Sequence, residues 1–141
     1  MKEGKLQIYC GNGKGKTTAA IGQAIREASK GRSVFIVQFL KGKQEEEISF
    51  IKRLEPEIKL FRFQKREEAF ENLTEQEKEE EIPNLKNGLN FARKVLATGE
   101  CDVLILDEVL GLPEREIATL EELHSLLEAA ENTDLIFTGK R

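Results

Sequence analysis

The residues with the clearest chemical potential form one glycine-rich stretch, Gly11-Asn12-Gly13-Lys14-Gly15-Lys16-Thr17-Thr18, which follows Cys10. Glycines at alternate positions let successive backbone N–H groups turn inward around phosphate oxygens with no Cβ in the way. A helix opening at the same place adds the partial positive charge of its N-terminus. Lys16 supplies a mobile ammonium for phosphates, Lys14 a second cation, and the Thr17 hydroxyl a natural oxygen ligand for Mg²⁺. The usual phosphate-loop pattern is G-x-x-x-x-G-K-[ST], and here Cys10 stands where its first glycine belongs.

A second candidate is the segment Asp102–Val109, read DVLILDEV. An apolar strand that ends in Asp107-Glu108 places carboxylates at a strand's C-terminal end, where a nucleotide-bound metal can be reached. Only one of the two carboxylates need touch the metal, because consecutive side chains point in different directions. His124 sits within a helix beside Leu123 and away from other ligands, so it is expected to be an ordinary surface or boundary histidine. Phe61 and Phe63 alternate along a strand as core or sheet-face residues, whereas Phe70 lies in the charged stretch REEAFEN.

These groups need a frame, and the frame reads as α/β. Short apolar runs alternate with helical patterns, the signature of βαβ units and a mostly parallel sheet flanked by helices. The strand candidates are Leu6–Cys10, Val34–Leu40, Lys59–Phe63, Val103–Asp107 and Leu135–Thr138. Continuous apolar character in VFIVQF and VLIL predicts strands covered on both faces. The first helix should run from near Lys16 to about Lys30, with Ala20, Ile21, Ala24, Ile25 and Ala28 inward and Gly31 as its stop. TEQE at Thr74–Glu77 and TLEE at Thr119–Glu122 read as capping boxes. The first leads through a solvated acidic turn to Pro83, where a further helix is expected to restart with Leu85, Leu89, Ala92, Val95 and Leu96 inward. The second should turn Leu120, Leu123, Leu126 and Leu127 towards the core.

Composition narrows the function classes. With 141 residues, 39% hydrophobic and 34% charged, the chain has the make-up of one folded domain, residues 1–141, not of a disordered segment. A net charge of −4 offers no broad surface for nucleic acid or membrane. The runs Glu45–Glu47 and Glu79–Glu81 are expected to be solvated faces. Cys10 and Cys101 have no metal spacing and are expected to be buried thiols of a cytoplasmic protein. Since LIFTGKR closes the sequence directly after its last strand, a minimal or incomplete sheet is expected.

The stretches GNGKGKTTAA (Gly11–Ala20), Arg26, VQFLKG (Val37–Gly42), ILDE (Ile105–Glu108) and TGKR (Thr138–Arg141) resemble, in order and spacing, the ATP:corrinoid adenosyltransferases that act on cob(I)alamin or cob(I)yrinic acid a,c-diamide. That family also lacks glycine at the position of Cys10. The resemblance implies a RecA-like fold, a homodimer, and a reaction in which a Co(I) corrinoid attacks the 5′-carbon of ATP and triphosphate leaves. Asn12, Gly13, Lys14, Gly15, Lys16, Thr17 and Thr18 would then hold the triphosphate, with Lys16 and Glu108 in catalytic roles. Thr17 and Glu108 would coordinate or orient Mg²⁺ with Asp107 in support. Arg26 would lie near the nucleoside, Phe70 would be the nearest match to a corrinoid-contacting ring, and an electron-donating flavoprotein would supply Co(I). The residues by themselves leave two other readings open: a P-loop ATPase or kinase, and a nucleotide- or corrinoid-binding relative with weak or no turnover.

Overall fold

The computed structural model describes residues 5–10, 15–40, 52–66 and 68–139. Strands β1 (Leu6–Cys10), β2 (Val34–Gln38), β3 (Ile58–Arg62), β4 (Val103–Asp107) and β5 (Asp134–Gly139) form one sheet in the order β1-β5-β4-β2-β3. Every pairing is parallel. Helix α1 (Gly15–Ser29) covers one face, and α2 (Glu75–Thr98) and α3 (Leu120–Ala129) the other. Parallel strands whose crossovers are helical all end at the same edge, so β1, β5, β4 and β2 present their C-terminal residues along one rim.

The alternation of side chains sorts the core into two layers. Val34, Ile36, Val103, Ile105 and Ile136 pack with Ala20, Ile21 and Ala24 of α1. Phe35, Val37, Leu104, Leu106, Leu135 and Phe137 pack with Leu85, Leu89, Ala92 and Val95 of α2 and with Leu123 and Leu126 of α3. The central strands β2 and β4 are buried at every position, as their unbroken apolar runs predict. β1 differs because it lies at the edge: Leu6 and Ile8 are exposed, and so is Cys10, which corrects the expectation of a buried thiol. Cys101 is buried, and desolvation pushes its thiol up to about 12, so it is no nucleophile.

Three helical expectations are also corrected. Ile25 is exposed on α1, and Leu120 at the first position of α3 is 72% exposed, since each falls off the apolar stripe that faces the sheet. The helix expected to restart at Pro83 is instead one continuous α2 with Pro83 inside it. Its start is fixed by the Thr74–Glu77 capping box and its end by Gly99 in the left-handed region. Its first turns are held from outside as well, through Glu81. That residue was expected on a solvated face, yet it is fully buried. Its carboxylate accepts from the N–H groups of Lys65 (2.9 Å) and Arg66 (3.1 Å), from Asn84 Nδ2 (3.1 Å) and from Arg66 Nη1 (2.9 Å). Burial alone would raise its pKa, but these donors outweigh it and hold the carboxyl below its ordinary range. Tertiary bonds of this strength offset the one helical hydrogen bond that proline cannot make. The Glu45–Glu47 run lies outside the described residues.

Candidate active site

Asp107 closes β4, and its side chain shares the α1 face with Val103 and Ile105. Its neighbours along the rim are polar. Gln38, the last residue of β2 and its register partner, donates from Nε2 to Asp107 Oδ2 at 3.3 Å. Thr138 of β5 donates from Oγ1 to Asp107 Oδ1 at 2.6 Å. Gln38, Asp107 and Thr138 are each no more than 2% exposed, so this is a polar layer built into the top of an otherwise apolar core. Neither Gln38 nor Thr138 was singled out for a role from the sequence. The available signal was a polar residue ending an apolar strand, VFIVQ and LIFT, in phase with Asp107.

The chain turns sharply after Asp107. Glu108 has φ 67°, a left-handed conformation that is costly for a residue with a Cβ. Its N–H donates to Thr138 Oγ1 at 2.8 Å, and its carbonyl accepts from Gly111 N–H at 3.1 Å, which closes the 3₁₀ turn Val109–Gly111. β5 passes directly against this turn. A Cβ on Gly139 would stand 2.5 Å from Leu110 Cβ and 3.2 Å from Leu110 Cα, so backbone contact there requires glycine. Leu40, two residues beyond β2, is also left-handed at φ 65°, and its carbonyl accepts from Phe70 N–H at 3.3 Å.

The other predicted residues fall as follows. Asn12, Gly13 and Lys14 lie outside the described residues. Gly15, Lys16 and Thr17 are the first residues of α1, the helix that packs on the Asp107 face of the sheet. Thr18 is exposed in the first turn. Arg26 is in the last turn of α1, ten residues and about 15 Å along the helix from Lys16. There it lines a cleft with Lys5, Gln23, Lys30, Arg32 and Asp134 near the N-terminal ends of the strands. The single chain therefore does not bring Arg26 to the rim. Phe70 is 5% exposed and packs in the α2 layer, with the Lys78 ammonium 5.8 Å from its ring centroid. Phe61 and Phe63 are half-buried and pack with tilted rings around Phe91, with centroids 4.6 and 5.6 Å away. His124 is exposed, as expected.

The donor set suits a hard cation shared with a nucleotide. Mg²⁺ is ordinarily held by one or two carboxylates plus phosphate oxygens, not by an all-protein cage. Gln38 and Thr138 each donate to the Asp107 carboxylate on the face covered by α1, whose first turn contains Thr17, and no group of three or more His, Cys, Asp or Glu gathers among the described residues. Residues 2–141 match the family described as ATP:corrinoid adenosyltransferase BtuR/CobO/CobP. The chain belongs to this family. It is 32% identical to a corrinoid adenosyltransferase of Escherichia coli K12 over 99% of its own length and 69% of that relative. It is 31% identical, over the same shares, to the corrinoid adenosyltransferase CobA of Salmonella typhimurium. Among solved structures it superposes on a KaiC-like protein of Pyrococcus horikoshii with a TM-score of 0.60 at 19% identity, covering all of this chain and 63% of that one. That likeness supports the RecA-like fold that the family resemblance implied.

Proposed function

We propose that this chain transfers the 5′-deoxyadenosyl group of ATP to the Co(I) centre of a corrinoid and releases triphosphate. The Co–C bond forms as the C5′–O bond breaks, and the leaving triphosphate carries away the bonding electrons. Beyond family membership, the carrying observation is the Asp107 carboxylate clamped by Gln38 and Thr138 on the face where the glycine-rich sequence enters α1. This reaction explains why a phosphate loop can lack its first glycine. A hydrolase must align water with the γ-phosphorus, whereas here all three phosphates belong to the leaving group. The loop must then stabilise charge that accumulates on triphosphate, an electrostatic task for Asn12–Thr18 and the Lys16 ammonium.

In this reading Thr17 and the Asp107–Glu108 pair hold Mg²⁺, which when bound neutralises part of the charge developing on the triphosphate. Asp107 faces α1 and is assigned the closer place, a refinement of the sequence expectation that favoured Glu108. The rim orients ATP and excludes water from the reacting carbon, and the cobalt is the only nucleophile required. Arg26 and Phe70 carry no step, because one stands at the far end of α1 and the other is buried. A homodimer, a reduced-flavoprotein electron donor and a cytoplasmic setting belong to the same proposal, as does the choice among corrinoids.

The test is to mix the protein with Mg-ATP and chemically reduced Co(I) corrinoid and assay a light-sensitive Co–C product together with triphosphate. Orthophosphate or ADP without adenosylated corrinoid would point to an ATPase or kinase instead. Replacing Lys16 with alanine should lower kcat by at least about 100-fold, the scale of losing one preorganised charge-stabilising donor. Wild-type kcat/KM for ATP in that variant would refute the loop assignment.

A further inference from the structure

β4 and β5 end side by side, and a single hydroxyl, on the next-to-last residue of β5, joins them. Thr138 Oγ1 lies 2.6 Å from Asp107 Oδ1 and 2.8 Å from the backbone nitrogen of Glu108. The direction of both bonds follows from chemistry. The Glu108 N–H can only donate, so the threonine oxygen accepts from it, and the one hydroxyl proton is given to Asp107. Thr138 is fully buried, so water does not compete for either bond. Glu108 occupies a left-handed turn that is strained for a residue with a Cβ. The bond to its N–H is one of the contacts holding that turn, and the turn sets where the Glu108 side chain leaves the strand. Strand propensity does not explain the hydroxyl, since valine has the same branched shape and an equal preference for strands.

We propose that Thr138 is the positioning residue of the site, setting the direction of Asp107 through its carboxylate and of Glu108 through its backbone. The proposal rests on the functional reading above only in naming Mg-ATP as the ligand. Thr138 itself touches neither metal nor nucleotide. Its effect is felt through two consecutive residues at once, so loss of the hydroxyl should loosen metal-dependent nucleotide binding and leave metal-free binding unchanged.

The deciding comparison is Thr138→Val against Thr138→Ser, measured as ATP affinity by calorimetry with Mg²⁺ and with EDTA, alongside turnover. Valine should weaken the Mg²⁺-dependent part of ATP affinity by about 10–100-fold, the usual effect of removing a partner that orients a metal ligand. Its affinity in EDTA should match wild type. Serine, which restores the hydroxyl and loses only a methyl group, should restore the Mg²⁺ dependence even where its thermal stability falls. Wild-type metal dependence in the valine variant would overturn the proposal, and so would equal damage from serine and valine. If the valine variant does not fold, Thr138→Cys replaces it, since a thiol keeps the volume but donates weakly. Cysteine should bind Mg-ATP more weakly than serine, and equality of the two would be fatal. A wild-type protein that makes no Co–C product yet shows this split would sink the functional reading and leave Thr138 standing. Turnover without the split would do the reverse.

Discussion

The two ends of the sheet solve the same problem in opposite ways. At the base, where strands begin, the left-handed residues among those described are Gly31 (φ 85°) after α1 and Gly99 (φ 65°) after α2. A Cβ at either would meet nothing within 4 Å, so these glycines answer to backbone conformation alone. Among the described residues at the rim, the left-handed ones are Leu40, two residues beyond β2, and Glu108, directly after β4, and Glu116 follows in the connection to α3. Here glycine would be the unstrained choice, and the chain does without it. Strain of this kind persists only where the surroundings hold it, and it gathers where a side chain must be aimed. The base is arranged for stability and the rim for placing groups.

The largest effect that can break this contrast is at Glu108. Asparagine tolerates the left-handed region far better than glutamate but cannot supply the same carboxylate. Glu108→Asn should therefore lower kcat/KM by about 100-fold, at the upper end of what losing a metal-site partner costs. Its thermal midpoint should be equal to or above wild type. A stable variant with unchanged turnover would show that the rim strain serves only the fold. The matching experiment at the base is Gly99→Ala, which should cost about 1–2 kcal/mol in urea unfolding and leave kcat unchanged. A fall in kcat at equal fraction folded would mean that the two ends are not separable.

What could be read from the sequence divides along a similar line. The central strands were legible because VFIVQ and VLILD are apolar throughout, and only burial on both faces permits that. Capping boxes gave both helix starts because their hydrogen bonds are local in sequence. Asp107 could be placed at the end of β4 because the apolar run VLIL stops there, whereas Asn12–Lys14 of the loop lie outside the described residues. What stayed hidden depends on partners far apart in the chain. Glu81 looks like part of a solvated acidic run until the loop at Lys65 and Arg66 folds over it. Thr138 and Gln38 gain a purpose only when strand order places β5 and β2 on either side of β4. The exposure of β1 is likewise a matter of strand order, since nothing in LQIYC says that it lies at an edge.

The smallest effect tests the base on its own terms. Glu27, near the end of α1, accepts from Arg32 Nη1 at 2.6 Å and Gln23 Nε2 at 2.8 Å, and Arg32 also reaches Asp134 Oδ2 at 3.0 Å. The bond from Arg32 holds the Glu27 carboxyl below its ordinary range despite burial that pushes the other way. A carboxylate whose folded pKa is depressed adds stability that is fully present above the unfolded pKa, about 4.3, and is lost as pH falls through the folded value. Glu27→Gln should thus lose about 0.5–1 kcal/mol at neutral pH, the scale of a partly exposed ion pair. The gap to wild type should narrow once pH drops below about 4.3 and close when wild-type Glu27 is itself protonated. Urea unfolding of both proteins across that range measures it. Turnover at neutral pH should not change, because Glu27 serves the end of the sheet opposite the carboxylates. A constant gap down to the acid limit would assign the loss to packing around the side chain, and the base would then owe its stability to shape, not to charge.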